Sequence, residues 1–202
     1  TKTYAIFGSS GYVNIMGSGE VSGYNATQND GAAVRLNNTV ATNGVSLYSG
    51  TYKAHNPNGL QSVISLSANG GTIKLYEDAL LNAGENGLAI YATAANQRNK
   101  ELGLYGTTVI GDIVLSGVAE GSGKTSSMVI KDSNITGEVS VSGENAVTIT
   151  GGTKIGKLSL AEGVTVNFED VEGSMDITVS ADGQFTPAME QADAWLKHIT
   201  CA

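Results

Sequence analysis

A chain of 202 residues with 41% hydrophobic side chains is long enough for one domain around a continuous core, and its single cysteine, Cys201, cannot staple a fold. Charged residues make up only 15% and the net charge is -8. No basic cluster is therefore present to displace counterions from nucleic acid or to hold the chain on an anionic membrane. No apolar run approaches the ~20 residues that cross a bilayer.

Thr1 opens almost directly onto a β pattern with no visible signal peptide, which predicts a mature or trimmed chain. Gly at 27 positions, with abundant Ser, Thr and Asn and 6% aromatics, predicts an all-β protein with many tight turns and a core of stacked Val, Ile and Leu. From there one aliphatic pair, its members separated by one outward residue, recurs along the sequence. The pairs are Val13/Ile15, Val45/Leu47, Ile73/Leu75, Leu102/Leu104, Met128/Ile130, Val147/Ile149 and Val166/Phe168. The second members step by 32, 28, 29, 26, 19 and 19 residues. A second ladder of Ile113/Leu115, Val139/Val141, Leu158/Leu160 and Ile177/Val179 steps by 26, 19 and 19. Two columns that shorten together are the signature of rungs in one solenoid.

Turn residues follow each pair: Tyr48-Ser49-Gly50, Tyr76-Glu77-Asp78, Tyr105-Gly106-Thr107, Lys131-Asp132-Ser133 and Thr150-Gly151-Gly152. The longer early coils carry the further strand-like segments Val34/Leu36, Ile64/Leu66 and Leu88/Ile90. Residues 92–101 and 118–127 fit no ladder and are expected as surface loops. The fold class predicted is all-β: a single right-handed parallel β-helix of about seven coils over 1–186, its hand set by the preference of parallel crossovers. Over 187–202 the β pattern gives way to helical spacing of Met189, Ala192, Trp195/Leu196 and Ile199 after Pro187. A short amphipathic helix capping the last rung is expected there.

The two histidines, His55 and His198, are 143 residues apart, which argues against a Ser/His/Asp triad or a His-rich metal site. Gly121-Ser122-Gly123-Lys124-Thr125 lacks the first Gly of a phosphate loop, position 118 being Val, and no helical pattern follows it. No cofactor is implied. Two outward columns carry the candidate binding residues. Asp112, Glu138, Lys157 and Asp176 share the second ladder's spacing, so Asp112 and Glu138 are expected about 4.8 Å apart on neighbouring rungs. Such carboxylates build acid/base sites when one pKa is raised; the simpler reading is a solvated charge ladder that Lys157 partly neutralises. Tyr48, Tyr76 and Tyr105 follow their pairs in three successive coils. They form either a flat strip for sugar rings or a partner protein, or a packing ladder at a coil corner.

The rungs Ile135-Thr-Gly-Glu-Val-Ser-Val-Ser-Gly143 and Val147-Thr-Ile-Thr-Gly-Gly-Thr-Lys-Ile-Gly156 resemble parallel β-helices of the pectin-lyase-like architecture. They look most like the non-catalytic repeats of bacterial surface adhesins and autotransporter passengers, over about residues 4 to 183. The resemblance implies a secreted, cell-surface, non-enzymatic scaffold and transfers no active-site residue. Its implied partners are a glycan, a host or cell-surface protein, or copies of itself. The alternatives are a carbohydrate-active protein (polysaccharide lyase, hydrolase or glycan-binding module) and a self-assembling filament or coat subunit.

Overall fold

The computed structural model describes residues 4–8, 11–24, 32–37, 44–55, 62–67, 71–92, 99–118, 121–161, 164–169, 177–179, 184–185 and 199–201. Among these, every regular element is a strand, and the strands pair in parallel with partners one turn away. They stack in three columns. The first holds β2 (Tyr12–Ile15), the start of β5 (Gly44–His55), the start of β7 (Gly71–Asn82), β9 (Lys100–Tyr105), β12 (Ser126–Lys131), β14 (Asn145–Thr150), β16 (Val164–Glu169) and β18 (Gln184–Phe185).

The second column holds β1 (Tyr4–Gly8), β4 (Ala32–Asn37), β6 (Ser62–Ser67), β8 (Leu88–Ala92) and β11 (Asp112–Ser116). It continues through the ends of β13 (Asn134–Ser142) and β15 (Lys154–Leu160), then β17 (Ile177–Val179) and β19 (Ile199–Cys201). The third holds β3 (Glu20–Tyr24), the ends of β5 and β7, β10 (Thr108–Ile110) and the starts of β13 and β15. The chain visits the columns in one cyclic order, which is the path of a solenoid.

Alternation with period two makes these strands, and the parallel register places each inward residue on its counterpart. Leu47, Leu75, Leu104, Ile130, Ile149 and Phe168 lie in register on consecutive rungs of the first column. All are buried, Phe168 being the most accessible at 7%. In the second column Val34 pairs with Ile64, Ile64 with Ile90, and Ile90 with Ile113. The strand-like segments expected as additions to the long coils are therefore early rungs of that ladder. The inward pair of β8 is Ile90/Ala92 rather than Leu88/Ile90, because Ala92 pairs with Leu115 while Leu88 is only half-buried.

The third column is a ladder the sequence did not announce: Val21, Tyr52, Leu81, Val109, Ile135 and Ile155 lie in register. The predicted loops are shorter than expected. Ala92 closes β8 and Lys100 opens β9, both buried, and Val118 is buried and bridges to Glu144. Residues 199–201, the end of the expected helical segment, extend the second column, with Ile199 paired to Ile177. Residues 187–198, with Trp195, Leu196 and His198, lie outside the described residues.

The coil turns its corners by two devices. Between the first and third columns, Gly106, Asp132 and Gly151 take φ of 69°, 50° and 68° at equivalent positions, a conformation that Gly and Asp tolerate. Beside them Thr107, Ser133 and Thr153 form a buried hydroxyl column. The Thr107 hydroxyl donates to the Ala79 carbonyl oxygen at 2.6 Å, and the Thr153 hydroxyl donates to that of Thr150 at 2.7 Å. These bonds satisfy carbonyls that the ladder leaves unpaired where the strand direction changes.

Between the third and second columns, neighbouring coils approach so closely that only glycine fits. A Cβ on Gly137 would fall inside the van der Waals shell of the Gly111 carbonyl oxygen, and one on Gly156 would meet that of Thr136. Replacing Gly137 by Ala is therefore expected to destabilise the chain by roughly 2–3 kcal/mol through overpacking against backbone that cannot move aside. Gly19→Ala, where a methyl has open space, is the control and is expected to leave the melting temperature unchanged. Equal melting of the two variants would count against the close approach at the corner.

Candidate functional site

Tyr48, Tyr76 and Tyr105 each follow an inward leucine of the first column, so each faces outward at the corner towards the third column. Parallel stacking brings them together. The Tyr48 and Tyr76 rings stack with centroids 4.6 Å apart and an interplanar angle of 1°, and Tyr76 and Tyr105 stack at 5.5 Å and 24°. The middle ring has a tyrosine against both faces. The structure thus replaces the expected flat strip with a ladder of stacked rings that presents ring edges rather than open faces.

Glycine makes room for these rings. The tip of the Tyr105 ring lies over Gly103, two residues back, where a Cβ would come within 2.5 Å of Cε2. Tyr12, which the sequence reading passed over, lies outside Gly44 in the same way. It is 47% exposed, and its hydroxyl shares a 2.8 Å hydrogen bond with the Ser46 hydroxyl. Partial burial, with Tyr48 adjacent, pushes the Tyr76 phenol up from its ordinary value and keeps it a neutral donor at physiological pH. Lys74 is held in an ion pair with Glu101 at 2.9 Å.

Along the ladder runs an open groove of about 740 Å³. Met16, 72% exposed, stands at one end, and Lys131 and Asp132 stand at the other. Glu77, Asp78 and Ser49 add polar groups to its lining. Over five successive rungs one lateral face therefore sets three aromatic rings beside the carboxylates of Glu77, Asp78 and Asp132.

The second expected column assembles differently. Asp112 accepts a 2.7 Å hydrogen bond from the Glu138 N–H, so its carboxylate caps the backbone of the next coil at the corner. Glu138 accepts hydrogen bonds from the hydroxyls of Ser159 (2.5 Å) and Ser140 (3.2 Å) and pairs with Lys157 at 3.3 Å. The Ser159 hydroxyl above all, with Lys157 and Ser140 beside it, outweighs partial burial and holds the Glu138 carboxyl below the usual carboxylate range. Glu138 is thus set up to stay ionised rather than to deliver a proton. Asp176 lies outside the described residues. Among the described residues no group of three or more His, Cys, Asp or Glu converges on a metal-sized site.

Lys100 is a second feature that spacing and pattern do not reveal. It is 2% exposed, and its ammonium donates to the carbonyl oxygens of Ser116 (2.5 Å) and Gly117 (3.2 Å). Burial lowers its pKa from the ordinary 10.5. No family model, curated protein or solved structure matches this chain.

Two pH dependences follow. A carboxyl whose folded pKa is lowered stabilises fully above the ordinary value of 4.5, and that contribution fades as pH falls through the folded value. Glu138→Gln is expected to cost on the order of 1 kcal/mol at pH 7, with the cost shrinking towards zero in acid. Urea unfolding at both pH values checks this, and an equal cost at both would contradict it. For Lys100 the unfolded chain holds the proton more tightly, so stability rises with pH from the lowered folded value towards 10.5. In Lys100→Met the slope of stability against pH in that window is expected to be shallower than in the parent chain.

Proposed function

We propose that this chain is a non-enzymatic structural or adhesive protein of the cell surface or extracellular space, whose mechanism is geometric. It is a right-handed parallel β-helix whose second column runs on through β19 (Ile199–Cys201). The right hand follows the preference of parallel crossovers. With nine second-column rungs among the described residues, the solenoid has more turns than the seven pairs of the first ladder alone imply.

The observation that carries this reading is the tyrosine ladder beside its groove. Three stacked aromatics and an exposed Met16 share one lateral face of a protein whose described core is aliphatic but for Tyr52 and Phe168. The low-lysine, acidic composition and the resemblance of the rungs to adhesin and autotransporter-passenger repeats support the same reading. The carbohydrate-active alternative needs a proton donor. Asp112 is engaged with backbone, and Glu138 is held ionised by two hydroxyls and Lys157.

The test has two arms. The purified chain, incubated with plant, bacterial and animal polysaccharides, is expected to release no new reducing ends or unsaturated products. Cleavage that disappears in the Asp112→Asn, Glu138→Gln double variant would overturn the proposal in favour of the enzyme. In the second arm, binding of the chain to fixed cells and matrix is expected to fall about tenfold in Tyr48→Ala, Tyr76→Ala. Circular dichroism checks that this variant is still folded.

A further inference from the structure

We propose that the groove beside the tyrosine ladder takes a linear, uncharged polysaccharide lying along the solenoid axis; this rests on the reading of that face as a binding surface. Four observations select this occupant. The first concerns the backbone. Each rung beneath the ladder is already paired on both sides, β5 with β2 and β7, β7 with β5 and β9, and β9 with β7 and β12. The face offers no free main-chain ladder, so a peptide cannot dock there by adding a strand.

The second concerns the rings. A basic peptide segment would use ring faces for cation–π contact. The Tyr76 faces are occupied by Tyr48 and Tyr105, and each outer ring spends one face on Tyr76. What the ladder leaves for a ligand is mainly ring edge, with the phenol groups at the ring tips, that of Tyr105 lying over Gly103. Ring edges carry positive charge density and phenols both donate and accept, which suits the oxygen atoms and hydroxyls of a sugar chain.

The third concerns charge. Glu77, Asp78 and Asp132 stand on the groove and Lys131 is the cation that lines it. Those carboxylates accept hydrogen bonds from neutral sugar hydroxyls and repel uronates or sulfated chains. The fourth is repetition. Tyrosine recurs on three successive rungs of the groove, and the rungs repeat at about 4.8 Å, close to the length of one pyranose unit. A polymer of identical units meets a periodic surface in step. A folded protein surface does not.

The experiment is calorimetric titration of the full chain with neutral oligosaccharide series, cello-, chito- and manno-oligosaccharides of two to eight units. Oligogalacturonate and an Arg-rich peptide serve as the contrasting probes. Binding of at least one neutral series is expected, with affinity rising up to about five units, one per rung of the groove, and then levelling. Tyr76→Ala is expected to weaken it about tenfold. Tyr76→Phe, which keeps the stack and removes the hydroxyl, is expected to weaken it a few-fold, so the result does not hinge on a variant with a damaged fold. Glu77→Gln, Asp78→Asn is expected to admit oligogalacturonate.

No binding of any neutral series, or binding indifferent to both Tyr76 variants, would overturn the proposal. If cell binding still depends on Tyr48 and Tyr76 while only the Arg-rich peptide titrates, the carbohydrate assignment fails and the lateral-face reading stands. If cell binding ignores the tyrosines as well, both fail.

Discussion

Register between neighbouring turns is the constraint on which the rest of this molecule depends. A β-strand alternates its side chains with period two, so a slip of one residue between rungs would turn a whole row of aliphatic residues to solvent. Here Leu47, Leu75, Leu104, Ile130 and Ile149 stay in line although the intervening chain shortens from 28 to 19 residues. The difference is absorbed outside the strands. Each turn therefore interacts with its two neighbours alone, and stability is approximately a sum of rung and nearest-neighbour terms. A local defect is correspondingly felt first by the adjoining rungs.

Keeping register through a corner is a hydrogen-bonding problem, because peptide groups that leave one column cannot pair with the next turn in strand geometry. The corner between the first and third columns solves it with side-chain hydroxyls at the same position on consecutive rungs, Thr107, Ser133 and Thr153. The corner between the third and second solves it by close approach: the Asp112 N–H donates to the Gly87 carbonyl oxygen at 2.8 Å, and Asp112 in turn caps Glu138. The corner around Lys100 is less tidy. Ser126 Oγ and Asn145 Oδ1 are buried with no hydrogen-bond partner, near the position where a lysine ammonium is drawn inside to reach carbonyls. That corner sits between a long and a short turn, where the cross-section changes.

The first and second columns were legible in the amino-acid order because their strands are long enough to show two inward residues each. The third was not. β10 is three residues long and buries Val109 alone, and Ile135 and Ile155 are likewise single inward residues of their short segments, so no alternation exists to detect. Tyr52 hid for another reason: a tyrosine reads as a surface residue, yet this one fills the third column and donates its hydroxyl to the Ser49 carbonyl oxygen at 2.9 Å. Spacing correctly gathered Tyr48, Tyr76 and Tyr105 but said nothing of ring orientation, which depends on the space left by Gly103. The carboxylate column shows the same limit. Its spacing put Asp112 and Glu138 on adjacent rungs, while the partners that decide their chemistry, a backbone N–H and two serine hydroxyls, are set by the bend of the corner.

The same register that lines up the core also multiplies the surface. Every outward position becomes a column, so one residue type retained over three turns creates an array that no single turn could supply. Packing leaves these positions free to vary, as the row Asn14, Ser46, Lys74, Gly103, Val129, Thr148 and Asn167 illustrates. Against that mixed background, retention of tyrosine at 48, 76 and 105 is the departure that asks for a cause. Core packing does not require it, since Lys131 and Thr150 occupy the equivalent positions on the next two rungs with no break in register. Nor does the ladder shield an apolar surface in need of cover, because the rings lie over Gly103 and beside the Lys74–Glu101 ion pair. An aromatic array that the described core does not need for burial, and that ends after three turns, is the feature on which the proposed binding surface rests.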